Sequence, residues 1–143
     1  MQAQLNHIGI ASNNLPALEK VFSILGLHIS NSEPVPDQGV VTHFVPLPVP
    51  SLASGGQTSL EFLEVSDPAG TVAKFIEKRG PGIHHLSFQV KTGQLDPLCL
   101  KLKAAGIRLT YDQPRSGAHQ MRINFIHPAS AGGILIEVME HAL

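Results

Sequence analysis

The sequence predicts an α+β domain built from two copies of one unit, a strand followed by a helix and three more strands. Three observations carry this. Leu5–Ile10 and Ile83–Val90 are short apolar segments rich in β-branched residues, each with a histidine at the same place, His7 and His85, 78 residues apart. Each is followed by a helical stretch that a glycine ends, and these glycines, Gly26 and Gly106, lie 80 residues apart. Leu60-Glu61-Phe62-Leu63-Glu64 matches Ile136-Glu137-Val138-Met139-Glu140 at an offset of 76. One loop absorbs the differences between these offsets, so the chain is an internal duplication.

The first unit spans residues 1–66 and opens with the strand at Leu5–Ile10. A polar loop leads into Leu15-Pro16-Ala17-Leu18, where a helix begins, with Leu18, Phe22 and Leu25 on one face and Gly26 as its stop. Asn31–Asp37 is a connection with at most a short strand, and Gly39–Val45 is the third strand. Pro46–Gly56 is a Pro, Ser and Gly loop before the strand at Leu60–Glu64. Residues 67–80 link the copies through a helix with Val72, Phe75 and Ile76 at helical spacing, closed by Gly80. The second unit, residues 81–143, follows the same order. Leu95-Asp96-Pro97-Leu98 opens its helix with Pro97 suited to the first helical position, Leu98 and Leu102 form the apolar stripe, and Gly106 ends it. Tyr111–His119 is the connection and Arg122–His127 the third strand.

Composition narrows the function classes. A chain of 143 residues can bury one core without staples, and 43% hydrophobic residues with a net charge of -1 point away from disorder and from nucleic-acid binding. Cys99 is the only cysteine, which excludes a disulfide framework and a thiolate metal cluster, and it is expected to pack in a helix. The N-terminus lacks a basic and apolar leader, and no run approaches the roughly 20 apolar residues of a membrane span, so a cytoplasmic protein with no membrane partner is expected. Eight histidines in a chain with no Trp and one Tyr raise the question of a metal.

Strand parity answers it. Side chains alternate across a strand, so His85, Ser87 and Gln89 share one face and Leu86, Phe88 and Val90 the other, which takes the helix. In the first copy Ile8 and Ile10 lie opposite His7, and Leu60 and Phe62 opposite Glu61. Glu137 shares its face with Leu135 and Met139, so the repeat register carries its assignment. His84 falls on the face opposite His85 and is expected to be structural. Each unit therefore offers one His and one Glu, and two units around a pseudo-twofold axis would bring two imidazoles and two carboxylates together. That donor set suits Mn, Fe, Co, Ni or Zn, with positions left for a substrate bound through two oxygens and Lewis-acid chemistry on a carbonyl. The opposing reading makes the histidines hydrogen-bonded core residues and the glutamates solvent-facing. Matched repeat positions for all four favour the metal.

These residues resemble the vicinal oxygen chelate superfamily (glyoxalase, bleomycin resistance protein and dioxygenase), and within it the methylmalonyl-CoA epimerases. The resemblance covers nearly the whole chain. It runs through Leu5-Asn6-His7-Ile8-Gly9-Ile10-Ala11, Val35-Pro36-Asp37-Gln38-Gly39-Val40, and Ala73–Gly80 leading into Gly82-Ile83-His84-His85. It continues in Gly117-Ala118-His119, Phe125-Ile126-His127-Pro128 and Gly132-Gly133-Ile134-Leu135-Ile136-Glu137. The resemblance implies two tandem βαβββ modules in a curved mixed sheet that encloses a metal-binding cleft, with His7, Glu61, His85 and Glu137 as ligands of one divalent ion. It implies epimerisation of methylmalonyl-CoA or a related acyl-CoA through an enolate, and a homodimer.

Epimerisation needs a proton removed on one face of a carbon and returned on the other. Some epimerases carry a Glu three residues after the glycine of the Gln-Gly motif. Here that position is Thr42, so Glu61 and Glu137 are the expected catalytic pair. Gln38, Thr42, Arg115 and His119 are the candidate substrate-binding residues, and Lys74, Lys78, Arg79, Arg115 and Arg122 the cations available to the phosphates of CoA. His127, before Pro128, is expected to fix a turn, and His28, His43 and His141 carry no functional expectation. A lactoylglutathione lyase of the glyoxalase I type would use the same two His and two Glu. An extradiol dioxygenase needs only one carboxylate, and a metal-free binding protein of this fold would have no use for the ligands.

Overall fold

The structure is a computed structural model that describes residues 1–48 and 57–143. Val49–Gly56, within the expected Pro46–Gly56 loop, lie outside the described residues. The elements run β1 (Gln4–Ser12), α1 (Leu15–Ile24), β2 (Asn31–Val35), β3 (Val40–Pro46), β4 (Ser59–Val65), α2 (Thr71–Arg79), β5 (Gly82–Gln89), α3 (Leu95–Ala104), β6 (Arg115–Ser116), β7 (Met121–Ile126) and β8 (Ile136–His141). The strand-helix-three-strand order occurs twice, with α2 between the copies, as the repeat predicts. Both expected short connections hold strands, five residues in β2 and two in β6.

Strand order is β2-β3-β4-β1 in one copy and β5-β8-β7-β6 in the other. Counted outward from the first strand of each copy, the pairing is the same: first and fourth strands run parallel, and the rest pair antiparallel. The helix carries the chain across, and two reversals bring the fourth strand back beside the first. Two compact units result, His7–His84 and His85–Leu143 joined by Met1–Asn6.

In the unit His7–His84, the apolar parity of the strands meets α1. Ile8, Ile10, Val45, Leu60 and Phe62 pack against Leu15, Leu18 and Phe22, with the Phe22 and Phe62 rings 5.2 Å apart. Asn14 caps α1 by accepting from the Ala17 amide at 3.2 Å, which supplies one of the amides a helix start leaves unpaired. Leu25 does not join this face. The helix ends at Ile24, the chain turns at Gly26 (φ 80°), and Leu25 is 64% exposed. α2 packs Val72, Phe75 and Ile76 on Ala11, Val40 and Leu63, the same spacing that predicted it. The glycine of the Gln-Gly motif has a structural reason. Gly39 has φ +66°, and a Cβ there would stand 3.0 Å from the Asp67 Cβ and 3.2 Å from the Gly70 Cα.

In the other unit, α3 buries Leu95 and Cys99 against Val90 and Val138, with Leu98 beside them. The stripe is one turn earlier than the sequence spacing suggested, because the helix starts at Leu95; Leu102 is only half-buried. Pro97 is accordingly the third helical residue, still within the turn where a missing amide hydrogen costs nothing. The start of α3 is tied to β8. The Leu95 amide donates to Oε2 of Glu140 at 2.9 Å, and Nη1 of Arg122 donates to Oε1 at 2.7 Å. Arg122 also forks onto both Asp96 oxygens at 3.0 and 2.9 Å. Its fork is taken up by these two carboxylates, so the expectation that it is available for phosphates is overturned.

Candidate active site

One pair of the candidate residues is in the unit His7–His84. His7 and Glu61 are both 6% exposed, on the β1–β4 face away from α1. The parallel register sets Gly9 directly beside Glu61 and Ser59 beside His7, so the two side chains are offset along the strands. Gly9 brings no side chain to this face and leaves Glu61 room to turn towards the histidine. Nδ1 of His7 lies 2.5 Å from Oε2 of Glu61. That oxygen is buried and makes no hydrogen bond. The approach is close without the alignment a hydrogen bond requires, and an unsatisfied buried carboxylate oxygen costs about 1–3 kcal/mol, more when charged. An imidazole nitrogen and a carboxylate oxygen turned to one spot, the oxygen without a hydrogen bond, are a donor pair chemically suited to a cation.

The other pair is in the unit His85–Leu143. His85, Ser87 and Gln89 are buried along one face of β5, at 4%, 0% and 4% exposure, and Glu137 on β8 is 5% exposed. Here the residue directly beside the glutamate is Ser87 rather than a glycine. Its Oγ donates to Oε1 of Glu137 at 2.7 Å and lies 3.0 Å from Sδ of Met139. The sequence placed Ser87 on the face of His85 without a role. No composition or spacing signal marks a serine as the partner of a residue 50 positions away; the β5–β8 register does. Met139 and Phe125 line the same region, the Phe125 ring standing edge-on to His85 at 6.2 Å.

His84 behaves as strand parity requires. It packs edge-on against Phe75 of α2 at 4.9 Å, and burial pushes its pKa down to about 4, so it is a neutral structural residue near pH 7. His127 accepts from the Ala129 amide at 3.1 Å and fixes the turn at Pro128, as expected.

The candidate substrate-binding residues have different settings. Thr42 is 3% exposed on β3, in register with Leu63 and Glu33 and two residues from Phe44, which faces Glu61. It holds no carboxylate at that place. Gln38 ends a short turn of 3-10 helix at Pro36–Gln38. Arg115 is exposed on β6, its guanidinium carbon 4.2 Å from the centre of the Tyr111 ring, which in turn meets Phe125. His119 and Gln120 both adopt left-handed backbone, φ 55° and 57°, a conformation that costs non-glycine residues of order 1–2 kcal/mol each. Strain of that kind often sits in loops shaped for binding.

Residues 6–125 match the Glyoxalase/Bleomycin resistance protein/Dioxygenase superfamily. The chain is 33% identical over 143 residues to ethylmalonyl-CoA/methylmalonyl-CoA epimerase of Cereibacter sphaeroides, covering 96% of this chain and 98% of that one. A variant of Streptomyces coelicolor methylmalonyl-CoA epimerase, solved in complex with 2-nitronate-propionyl-CoA, superposes with a TM-score of 0.88 at 30% identity, covering 100% of both chains. The Mycobacterium tuberculosis methylmalonyl-CoA epimerase gives 0.81 at 38% identity, with 97% of this chain and 88% of that one covered. With its βαβββ repeat and a buried His and Glu in each copy, this chain belongs to the Glyoxalase/Bleomycin resistance protein/Dioxygenase superfamily, among the methylmalonyl-CoA epimerases.

Proposed function

We propose that this protein is a metal-dependent epimerase of methylmalonyl-CoA or a closely related acyl-CoA, with His7, Glu61, His85 and Glu137 holding one divalent ion. The observation that carries the reading is the buried Oε2 of Glu61, turned to His7 and lacking a hydrogen bond. His7, His85 and Glu137 are likewise buried, and imidazole and carboxylate are donor types that hold first-row metal ions. Nitrogen and oxygen donors of this type accept Co, Mn, Ni, Zn or Fe. When bound, such an ion supplies Lewis-acid stabilisation of the negative charge that develops on a thioester oxygen.

The chain's own residues handle the proton. Glu61 and Glu137 occupy equivalent places in the two copies, and each serves one face of the α-carbon, one removing a proton while the other returns it. Thr42 cannot share this task, since a hydroxyl is no base near pH 7. Arg115, with its guanidinium backed by Tyr111, and the strained His119 segment shape the mouth for the CoA portion, and Gln38 and Thr42 line the substrate side. The acyl-CoA is the partner; a homodimer and a cytoplasmic setting accord with this reading.

The test is solvent exchange. Wild-type protein loaded with cobalt in deuterium oxide should place deuterium on the α-carbon of methylmalonyl-CoA. A protein that binds cobalt and exchanges nothing would end the epimerase reading. Glu61→Gln should retain exchange from one epimer while losing interconversion, and full interconversion by a cobalt-bound Glu61→Gln protein removes Glu61 from the proton path.

A further inference from the structure

The two copies differ directly beside their glutamates, where one has a glycine and the other a serine. Gly9 and Ser87 occupy equivalent positions, each directly beside the glutamate of its own copy. Glu61 beside Gly9 receives nothing from that neighbour, whereas Glu137 receives a 2.7 Å hydrogen bond from Ser87 Oγ. Ser87 is fully buried and has one hydroxyl proton. Two acceptors stand near it, the carboxylate oxygen at 2.7 Å and the thioether sulfur of Met139 at 3.0 Å. A carboxylate is the far stronger acceptor, so the proton goes to Glu137 and the sulfur packs against the oxygen.

We infer that Ser87 is a positioning residue that fixes the carboxylate of Glu137 through Oε1 and so presets it as a metal ligand, making the two glutamates unequal. This rests on the metal site proposed above. A hydroxyl bond to Oε1 sets the rotation of the carboxylate plane, and the short side chain of a strand residue with no exposed surface cannot move away. Groups that hold a ligand in this manner typically govern metal affinity by about 10–100-fold. The glycine in the other copy leaves Glu61 without that restraint, which suits a carboxylate that must also handle a proton.

The experiment is a double-mutant cycle read by cobalt binding, titrated by absorbance on purified full-length protein, with Ser87→Ala, Glu137→Gln and the pair. Ser87→Ala should weaken cobalt binding by roughly tenfold or more. In the Glu137→Gln background the same change should alter affinity by less than about twofold, because there is no charged ligand left to orient. Ser87→Cys keeps the shape and a weak donor and should fall between wild type and Ser87→Ala, with both variants still folded without metal by circular dichroism. An affinity loss under threefold in Ser87→Ala overturns the inference. So does an equal loss in both backgrounds, which marks Ser87 as packing only. A wild-type protein that binds no cobalt overturns the metal site itself, an outcome distinct from either of those.

Discussion

Arg122→Leu is expected to cost this protein about 1.5–3 kcal/mol, the typical worth of a hydrogen bond to a buried charged group, less than for a fully buried pair because the Arg122 side chain is 33% exposed. Glu140 is 1% exposed and has two partners, Arg122 on Oε1 and the Leu95 amide on Oε2. Removing the guanidinium leaves a carboxylate in the interior with one neutral donor. The exposed half of the network adds little: the Asp96 side chain is 51% exposed, and such pairs contribute about 0–1 kcal/mol. For a chain of this length the loss corresponds to a melting point lower by roughly 5–10 °C. Urea unfolding of chelator-treated protein measures it free of any bound ion's contribution. In a Glu140→Gln background, where the neutral amide still accepts from Leu95, Arg122→Leu should cost less than half as much. A loss below about 1 kcal/mol in the wild-type background, or equal losses in the two, refutes the reasoning that Glu140 makes Arg122 structural. Arg122→Lys should leave the KM for the acyl-CoA unchanged, since the fork faces the fold rather than the substrate. The hydrogen bonds from Arg122 also hold the Asp96 carboxyl below its usual range, so the stability of that pair is present above the ordinary carboxylate pKa and lost as pH falls through the lowered one.

Two further expectations follow from the same geometry. His85→Gln should abolish stoichiometric metal binding, while His84→Phe, which keeps an aromatic ring against Phe75, should bind metal as wild type does; metal analysis of the two purified variants decides, and reversed results would move the ligand to the wrong strand face. Arg115→Ala should raise the KM for the acyl-CoA by about tenfold with kcat little changed, the signature of a contact made equally in ground and transition states, and the effect should shrink in high salt. A change in kcat alone would place Arg115 elsewhere.

Much of this protein is local in origin and therefore legible in its sequence. Period-two alternation along Ile8–Ile10 and His84–Val90 decides which face meets a helix, and the stop glycines Gly26 and Gly106 decide where the helices end, because φ near 80° is a backbone property of the residue itself. Duplication then marks His7, Glu61, His85 and Glu137 as equivalents, and parity selects His85 over His84. Other features are not local. Leu25 looks like a core residue by spacing and is exposed because the helix stops one residue before it. Arg122 looks like a free cation until β7 sets it beside Glu140 and Asp96. The bond from Ser87 to Glu137 exists because two strands far apart in the chain run parallel in one register, and a slip of one residue would point them to opposite faces. The sequence by itself therefore determined which residue types are offered and on which face. The tertiary structure alone decided which of them touch, since pairing between distant strands depends on register, a property no single segment carries.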